Sequence, residues 1–225
     1  MKDRVVLITG AKGGLGTAVT TAFLGTGARI VGVSRAIHDS DFPVPSFTAM
    51  AADLTSRAAA SKLVSDVAAR FQRIDALVHV MGGFAGGSRV EETDDATLDL
   101  MLDLNYRAAF YVIRAVLPLM RRQGSGRILA VASRQGVEPA ANVGAYSASK
   151  AALVALVRTV ALENRDAGIC ANTVLPATMD TPGNTATDRS PLVPPADVAA
   201  LLVHLASDAG SQITGAAIPV YGRQL

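Results

Sequence analysis

One segment constrains this chain more than any other: Val5-Val6-Leu7-Ile8-Thr9-Gly10-Ala11-Lys12-Gly13-Gly14-Leu15-Gly16. The short β-branched run stops at Thr9-Gly10 and reads as a buried strand, and helical spacing follows over residues 14–24. Glycines at the join let the backbone turn sharply and approach a pyrophosphate, whose charge the amides at a helix N-terminus meet. A tight strand-to-helix turn uses glycine for its own sake as well. Placement directly after the first strand is what gives this motif its weight.

The rest of the chain repeats the alternation. Strand-like runs occur over residues 28–33, 76–80, 128–132, 169–175 and 216–220, and apolar residues recur at helical spacing over 58–71, 98–120, 145–162 and 197–205. The long helical pattern closes on Arg121-Arg122-Gln123-Gly124, basic residues followed by glycine, which is a helix stop. Strands alternating with helices predict an α/β fold, one doubly wound parallel sheet with helices on both faces. No internal repeat, low-complexity linker or composition shift marks a second domain. Residues 181–195 are rich in Pro, Thr, Asn, Asp and Ser and are expected to leave a strand's C-terminal end as a substrate loop.

Composition agrees with that class. Half of the 225 residues are hydrophobic and 18% are charged, as a sheet buried on both faces requires. The net charge of +2 is too small to argue for nucleic acid or an anionic membrane. One cysteine, Cys170, excludes an internal disulfide and a cysteine-rich metal site, and it reads as a small buried strand residue. His38, His79 and His204 lie far apart without ligand spacing, so no metal is expected. Met1-Lys2-Asp3-Arg4 passes straight into the first strand, and no apolar stretch reaches the ~18 residues of a membrane span. A soluble, cytoplasmic protein is the expectation.

The second strand ends at Val33-Ser34-Arg35. An acidic residue about 20 positions past the glycines grips the ribose 2′-hydroxyl of NAD, whereas arginine accommodates a 2′-phosphate. That distance lands on Arg35, and no Asp or Glu appears before Asp39. A phosphate dianion suits a guanidinium fork, with Lys12 as a second positive charge, so NADP(H) is expected ahead of NAD(H). The other reading of both residues is ordinary solvated cations. Asp53, in Ala52-Asp53-Leu54-Thr55, either accepts a hydrogen bond from adenine or caps the following helix, a task Thr55 could also perform.

Tyr146 and Lys150 stand four residues apart in Tyr-Ser-Ala-Ser-Lys, at the head of a helical run. Side chains at i and i+4 project from one helix face, so a phenol and an ammonium are held side by side. Ser133 lies thirteen positions upstream, at the end of another apolar run. A phenol with pKa about 10 needs neighbouring positive charge before it exchanges protons near neutrality.

The glycine turn, Asn105, Ser133, Tyr146 and Lys150 together resemble the short-chain dehydrogenase/reductase family, over the chain from Thr9 to Ile213-Thr214-Gly215. The resemblance implies a single-domain Rossmann fold and hydride transfer from NADPH to a ketone, or the reverse on an alcohol. Residue by residue, it implies that Tyr146 is the general acid/base and that Lys150 favours the phenolate and bonds the nicotinamide ribose. Ser133 would orient the substrate carbonyl, and Asn105 would hold a proton-relaying water. Cofactor contacts are implied at Gly10, Lys12, Gly14, Leu15, Gly16, Arg35, Asp53, Leu54, Gly82, Lys150, Pro176 and Thr181. The family further implies pairing of the two long helices across a two-fold axis, giving a homodimer or homotetramer.

The chain departs from the family pattern at His79-Val80-Met81-Gly82, where most relatives carry Asn-Asn-Ala-Gly, and at Pro176-Ala177 in place of Pro-Gly. His79 is read as a core histidine, with a second acid/base as its alternative. Gly82-Gly83-Phe84-Ala85-Gly86-Gly87 and the run from Leu175 to Asn184 are similar to quinonoid dihydropteridine reductases. That branch typically lacks the serine and prefers NADH, whereas this chain has Ser133 and Arg35. A pterin or quinonoid reductase is therefore the alternative enzyme, and a non-catalytic NADP(H)-binding regulator the alternative outside enzymology. Phe84, Val137, Pro139 and Met179 are candidates for an apolar substrate wall, Arg89 for an anion anchor, and Gly183, Thr185 and Ser190 for mobility of the loop.

Overall fold

Seven parallel strands form one sheet in the order β3-β2-β1-β4-β5-β6-β7 in the computed structural model, which describes residues 1–184 and 192–224. The strands are β1 (Val5–Thr9), β2 (Arg29–Ser34), β3 (Phe47–Ala51), β4 (Ala76–His79), β5 (Gly126–Val131), β6 (Ile169–Pro176) and β7 (Ala217–Val220). β1, β4 and β6 are buried along their whole length, which is why they read as unbroken apolar runs rather than alternating ones.

The described helices are α1 (Gly14–Leu24), α2 (Arg57–Phe71), α3 (Asp95–Leu102), α4 (Ala108–Gln123), α5 (Gly144–Glu163) and α6 (Pro195–Ala206). From β1 the chain winds outward through β2 to β3, then returns to β4 on the other side of β1. Right-handed crossovers in opposite directions put α1 and α2 on opposite faces. α1 packs against α6, and α2 against α4. The reversal of winding opens a crevice at the C-terminal ends of β1 and β4, where open α/β sheets bind ligands.

Three features depart from the sequence reading. β3 was not anticipated: its five residues follow Pro43 and Pro45 at the sheet edge, and only two of them are fully buried, so periodicity says little. The helix expected over 98–120 begins earlier, at Asp95, because Asp94 caps it by accepting from the Thr97 amide at 2.7 Å. It is also interrupted by a π turn over Asp103–Arg107. Finally, the 20-residue α5 is long and apolar enough to cross a bilayer by length and composition alone. One side of it packs against β6 and α3, with Leu153 and Val157 buried, while Leu162 stays exposed.

Candidate active site

β5 ends at Val131, and Ser133 follows two residues later as the cap of a 3-10 turn over Arg134–Gly136. That turn packs on α5, whose first two turns carry Tyr146 and Lys150. The C-terminal end of β5 and the helix start therefore bring together three residues, the outer two of which are seventeen positions apart in the sequence. Lys150 is buried, and its ammonium donates to the Val131 carbonyl at 3.1 Å and lies 5.9 Å from the Tyr146 ring centroid. Burial pulls the Lys150 pKa down to about 8, which leaves it protonated at neutral pH. Burial pushes the Tyr146 phenol up, and the Ser133 hydroxyl beside it acts in the opposite direction.

Asn105 lies in the π turn and is fully buried. Its Oδ1 accepts from the Gly83 amide at 2.9 Å, while its Nδ2 donates to the Gly83 carbonyl and to Ser149 Oγ, both at 3.0 Å. The side chain thus clips the segment after β4 to the start of α5. π turns within α-helices recur at functional sites because they re-aim one residue of the helix, and here that residue is Asn105. A Cβ on Gly82 would stand 2.7 Å from Asn105 Oδ1 and 3.0 Å from Lys150 Nζ, so only glycine fits where these elements converge.

The glycine turn has the form of a cradle for a dinucleotide. A Cβ on Gly16 would fall 1.8 Å from the Gly10 carbonyl oxygen, and no side chain caps α1, so its first amides are left to an anion. Thr181 packs over this turn: a Cβ on Gly14 would meet its side chain at 3.1 Å. Leu15 and Leu54 are buried anchors of the turn and of the segment after β3, and Pro176 closes β6. Arg35 is exposed at the end of β2 and makes no ion pair among the described residues. Lys12, by contrast, is committed to Asp41 at 2.8 Å.

Asp53 caps no helix. Its Oδ1 accepts from the Thr55 amide at 3.0 Å and the Thr55 hydroxyl at 2.7 Å. Those bonds, with the Arg35 charge, hold its carboxyl below the usual range. Ser56 is the cap of α2, accepting from the Ala59 amide, so neither Asp53 nor Thr55 fills that role. His79 is a core residue. It is fully buried, pairs through Nδ1 with the Thr9 hydroxyl at 2.8 Å, and is driven by burial to a pKa of about 3.

A cavity of about 330 Å³ lies beside Ser133, lined by Gln135, Pro139, Ala177, Thr178 and Gln224 among others. Phe84 stands against Tyr146 and is 68% exposed, and Val137 is also exposed. Met179 pairs with Val193, which closes the base of the 181–195 loop. Thr185 and Ser190 lie outside the described residues. Arg89 faces Glu91 at 3.9 Å, which offsets its charge. Two residues that sequence reasoning missed belong to this region: Gln135, bonded to Ser133, and Gln224, whose amide bridges the backbone of Thr178. Both are glutamines, one bonded across a turn and the other to a residue 46 positions away, and neither sits in a periodic pattern. No cluster of three potential metal ligands occurs among the described residues.

The family profile described as short chain dehydrogenase matches residues 4–191. A short chain dehydrogenase of Penicillium brasilianum is 31% identical, covering 98% of this chain and 96% of its own length. The 7alpha-hydroxysteroid dehydrogenase of Bacteroides fragilis is 29% identical over 98% of this chain and 94% of its own. Among solved structures, the 3-ketoacyl-(acyl-carrier-protein) reductase from Brucella melitensis complexed with NADH superposes with a TM-score of 0.92 at 28% identity, covering 100% of this chain and 99% of that one. Levodione reductase also gives 0.92, at 27% identity, over 100% and 98% of the two chains. A parallel seven-stranded sheet wound both ways, a glycine cradle at its switch point and this breadth of similarity make the chain a member of the short-chain dehydrogenase family, an NAD(P)-dependent oxidoreductase.

Proposed function

We propose that the protein is an NADPH-preferring carbonyl reductase, reversible as an alcohol dehydrogenase, acting on small cyclic or aromatic ketones or on 3-oxoacyl thioesters. The observation that carries this reading is the convergence of Ser133, past the end of β5, with Tyr146 and Lys150 at the start of α5, and Ser133 is bonded to Gln135, which lines a cavity. A bound nicotinamide supplies the hydride. Tyr146 gives its phenolic proton to the carbonyl oxygen, and Ser133 orients that oxygen. Burial alone holds the phenol too high to exchange readily at neutral pH. Lys150, protonated at that pH and 5.9 Å from the Tyr146 ring, would favour phenolate by its positive charge and would hold the nicotinamide ribose. The Asn105 side chain is spent on Gly83 and Ser149, so a relaying water would be held through its backbone.

Arg35 supports the 2′-phosphate, because its guanidinium makes no ion pair among the described residues although it acts on Asp53 at longer range, whereas Lys12 would have to leave Asp41 to assist. A pterin or quinonoid reductase is the second reading. It is favoured by the local likeness at residues 82–87 and 175–184 and by the exposed Phe84 ring, which suits a flat acceptor. Leu98, Leu100 and Leu162 remain exposed on α3 and α5, which supports a homodimer or homotetramer.

The test is thermal unfolding of the wild type and Arg35→Asp with NADPH and with NADH, since a ligand of the folded state raises Tm by mass action. A larger NADPH shift that the substitution reverses supports the reading. An NADH-favoured shift in the wild type overturns the cofactor preference and advances the pterin-type alternative.

A further inference from the structure

Ser133 has one hydroxyl hydrogen, and the structure shows where it goes. Its Oγ lies 2.5 Å from Gln135 Oε1, and since an amide carbonyl oxygen can only accept, the serine donates. The Gln135 backbone amide approaches the same Oγ at 3.3 Å. Gln135 Nε2 has no hydrogen-bond partner among the described residues, and the residue lines the cavity of about 330 Å³. The Ser133 hydroxyl also stands beside the Tyr146 phenol. A hydroxyl hydrogen serves one acceptor well at a time, so three oxygens compete for it: Gln135 Oε1, Tyr146 Oη and an incoming carbonyl.

We propose that Gln135 is a positioning residue whose side-chain carbonyl holds the Ser133 hydrogen away from the reacting oxygens and so governs when Ser133 can donate to them. This inference rests on the roles given above to Ser133 and Tyr146. While Gln135 accepts, the Ser133 hydrogen is engaged there, and the lowering that the serine hydroxyl exerts on Tyr146 is weakened by that competition. If the amide turns over, Nε2 donates to Ser133 Oγ and the serine hydrogen is released to the phenolate or the substrate carbonyl.

The charged groups around the pair come from several elements. Lys150 on α5 lies 5.9 Å from the Tyr146 ring, and His79 on β4 stays neutral behind it. Arg134 and Glu138, flanking Gln135, bind each other at 2.6 Å. Replacing Gln135 by methionine alters none of these charges, keeps the side-chain length and removes the strong acceptor. Gln135→Glu keeps the acceptor and adds charge.

Tyrosinate absorbance is titrated on the full chain, folded state being checked by circular dichroism at each pH, first alone and then with NADP⁺. The chain has four tyrosines, so the phase missing from Tyr146→Phe identifies Tyr146. Relative to wild type, the midpoint should fall by about half a unit in Gln135→Met and rise in Gln135→Glu. A midpoint in Gln135→Met that is unchanged or higher overturns the inference. Failure of wild type to reduce any ketone with either nucleotide defeats the reductase reading, while the titration still decides the role of Gln135.

Discussion

The ring of Phe84 meets the ring of Tyr146 edge-on, with centroids 5.0 Å apart and planes at 73°. Phe84 follows the glycines after β4 and is 68% exposed, so a large apolar side chain is held at the surface directly beside the proposed proton donor. Such pairs contribute about 0.5–1.5 kcal/mol beyond simple area burial. The exposed remainder of the ring is surface that a substrate can cover.

Replacing this ring should act on substrate binding more than on folding. Phe84→Ala is expected to raise KM for cyclic and aromatic ketones about 5- to 10-fold, with kcat less affected and Tm lowered by only a few degrees. Steady-state kinetics on a graded series of ketones checks this. An unchanged KM for the aromatic members removes Phe84 from the substrate wall.

Gly82 offers a sharper geometric test. A methyl group there would press on Asn105 Oδ1 at 2.7 Å and Lys150 Nζ at 3.0 Å. The amide of Asn105 must then shift, straining its bonds to Gly83, and the lysine ammonium is crowded as well. Gly82→Ala should lower kcat at least 10-fold and cost about 1–3 kcal/mol of stability by overpacking. Denaturant unfolding and single-turnover rates, measured on the same preparation, separate the two effects. Full kcat in this variant would show that the lysine position is not critical.

His79 should make the protein acid-sensitive in a defined window. Its folded pKa of about 3 lies below the unfolded value near 6.5, so between these limits the unfolded chain binds more protons. Stability is present above pH 6.5 and is lost as pH falls toward 3, by at most about 1.4 kcal/mol per unit from this residue. Between pH 6.5 and 5 carboxylates contribute little, so urea unfolding there isolates the histidine. His79→Gln should flatten the slope, and a slope equal to wild type would assign the acid sensitivity elsewhere.

Much of this arrangement was legible in the sequence because it is local. The run from Val5 to Gly16 encodes strand, turn and helix within twelve residues, and Tyr146 and Lys150 share a face through helical periodicity alone. β3 escaped because an edge strand between prolines and a loop lacks a fully buried pattern. The 103–107 π turn escaped because its hydrogen-bond shift leaves no compositional mark. Asp53 lost the helix cap to Ser56 because three polar residues within four positions, Asp53, Thr55 and Ser56, can each serve, and only the backbone path selects one.

By itself, then, the sequence determined the alternation of elements, the parallel α/β class that follows from it, and the chemical groups available to the site. Only the tertiary structure decided how those groups are used. Burial lowers the Lys150 pKa and the Val131 carbonyl fixes its ammonium, Gly83 takes the Asn105 amide, Asp41 engages Lys12 while Arg35 stays free of ion pairs among the described residues, and Gln135 takes the Ser133 hydrogen. Periodicity is a short-range property that a few residues can carry. Partner choice depends on distances between segments far apart in the chain, and those exist only after the sheet has assembled.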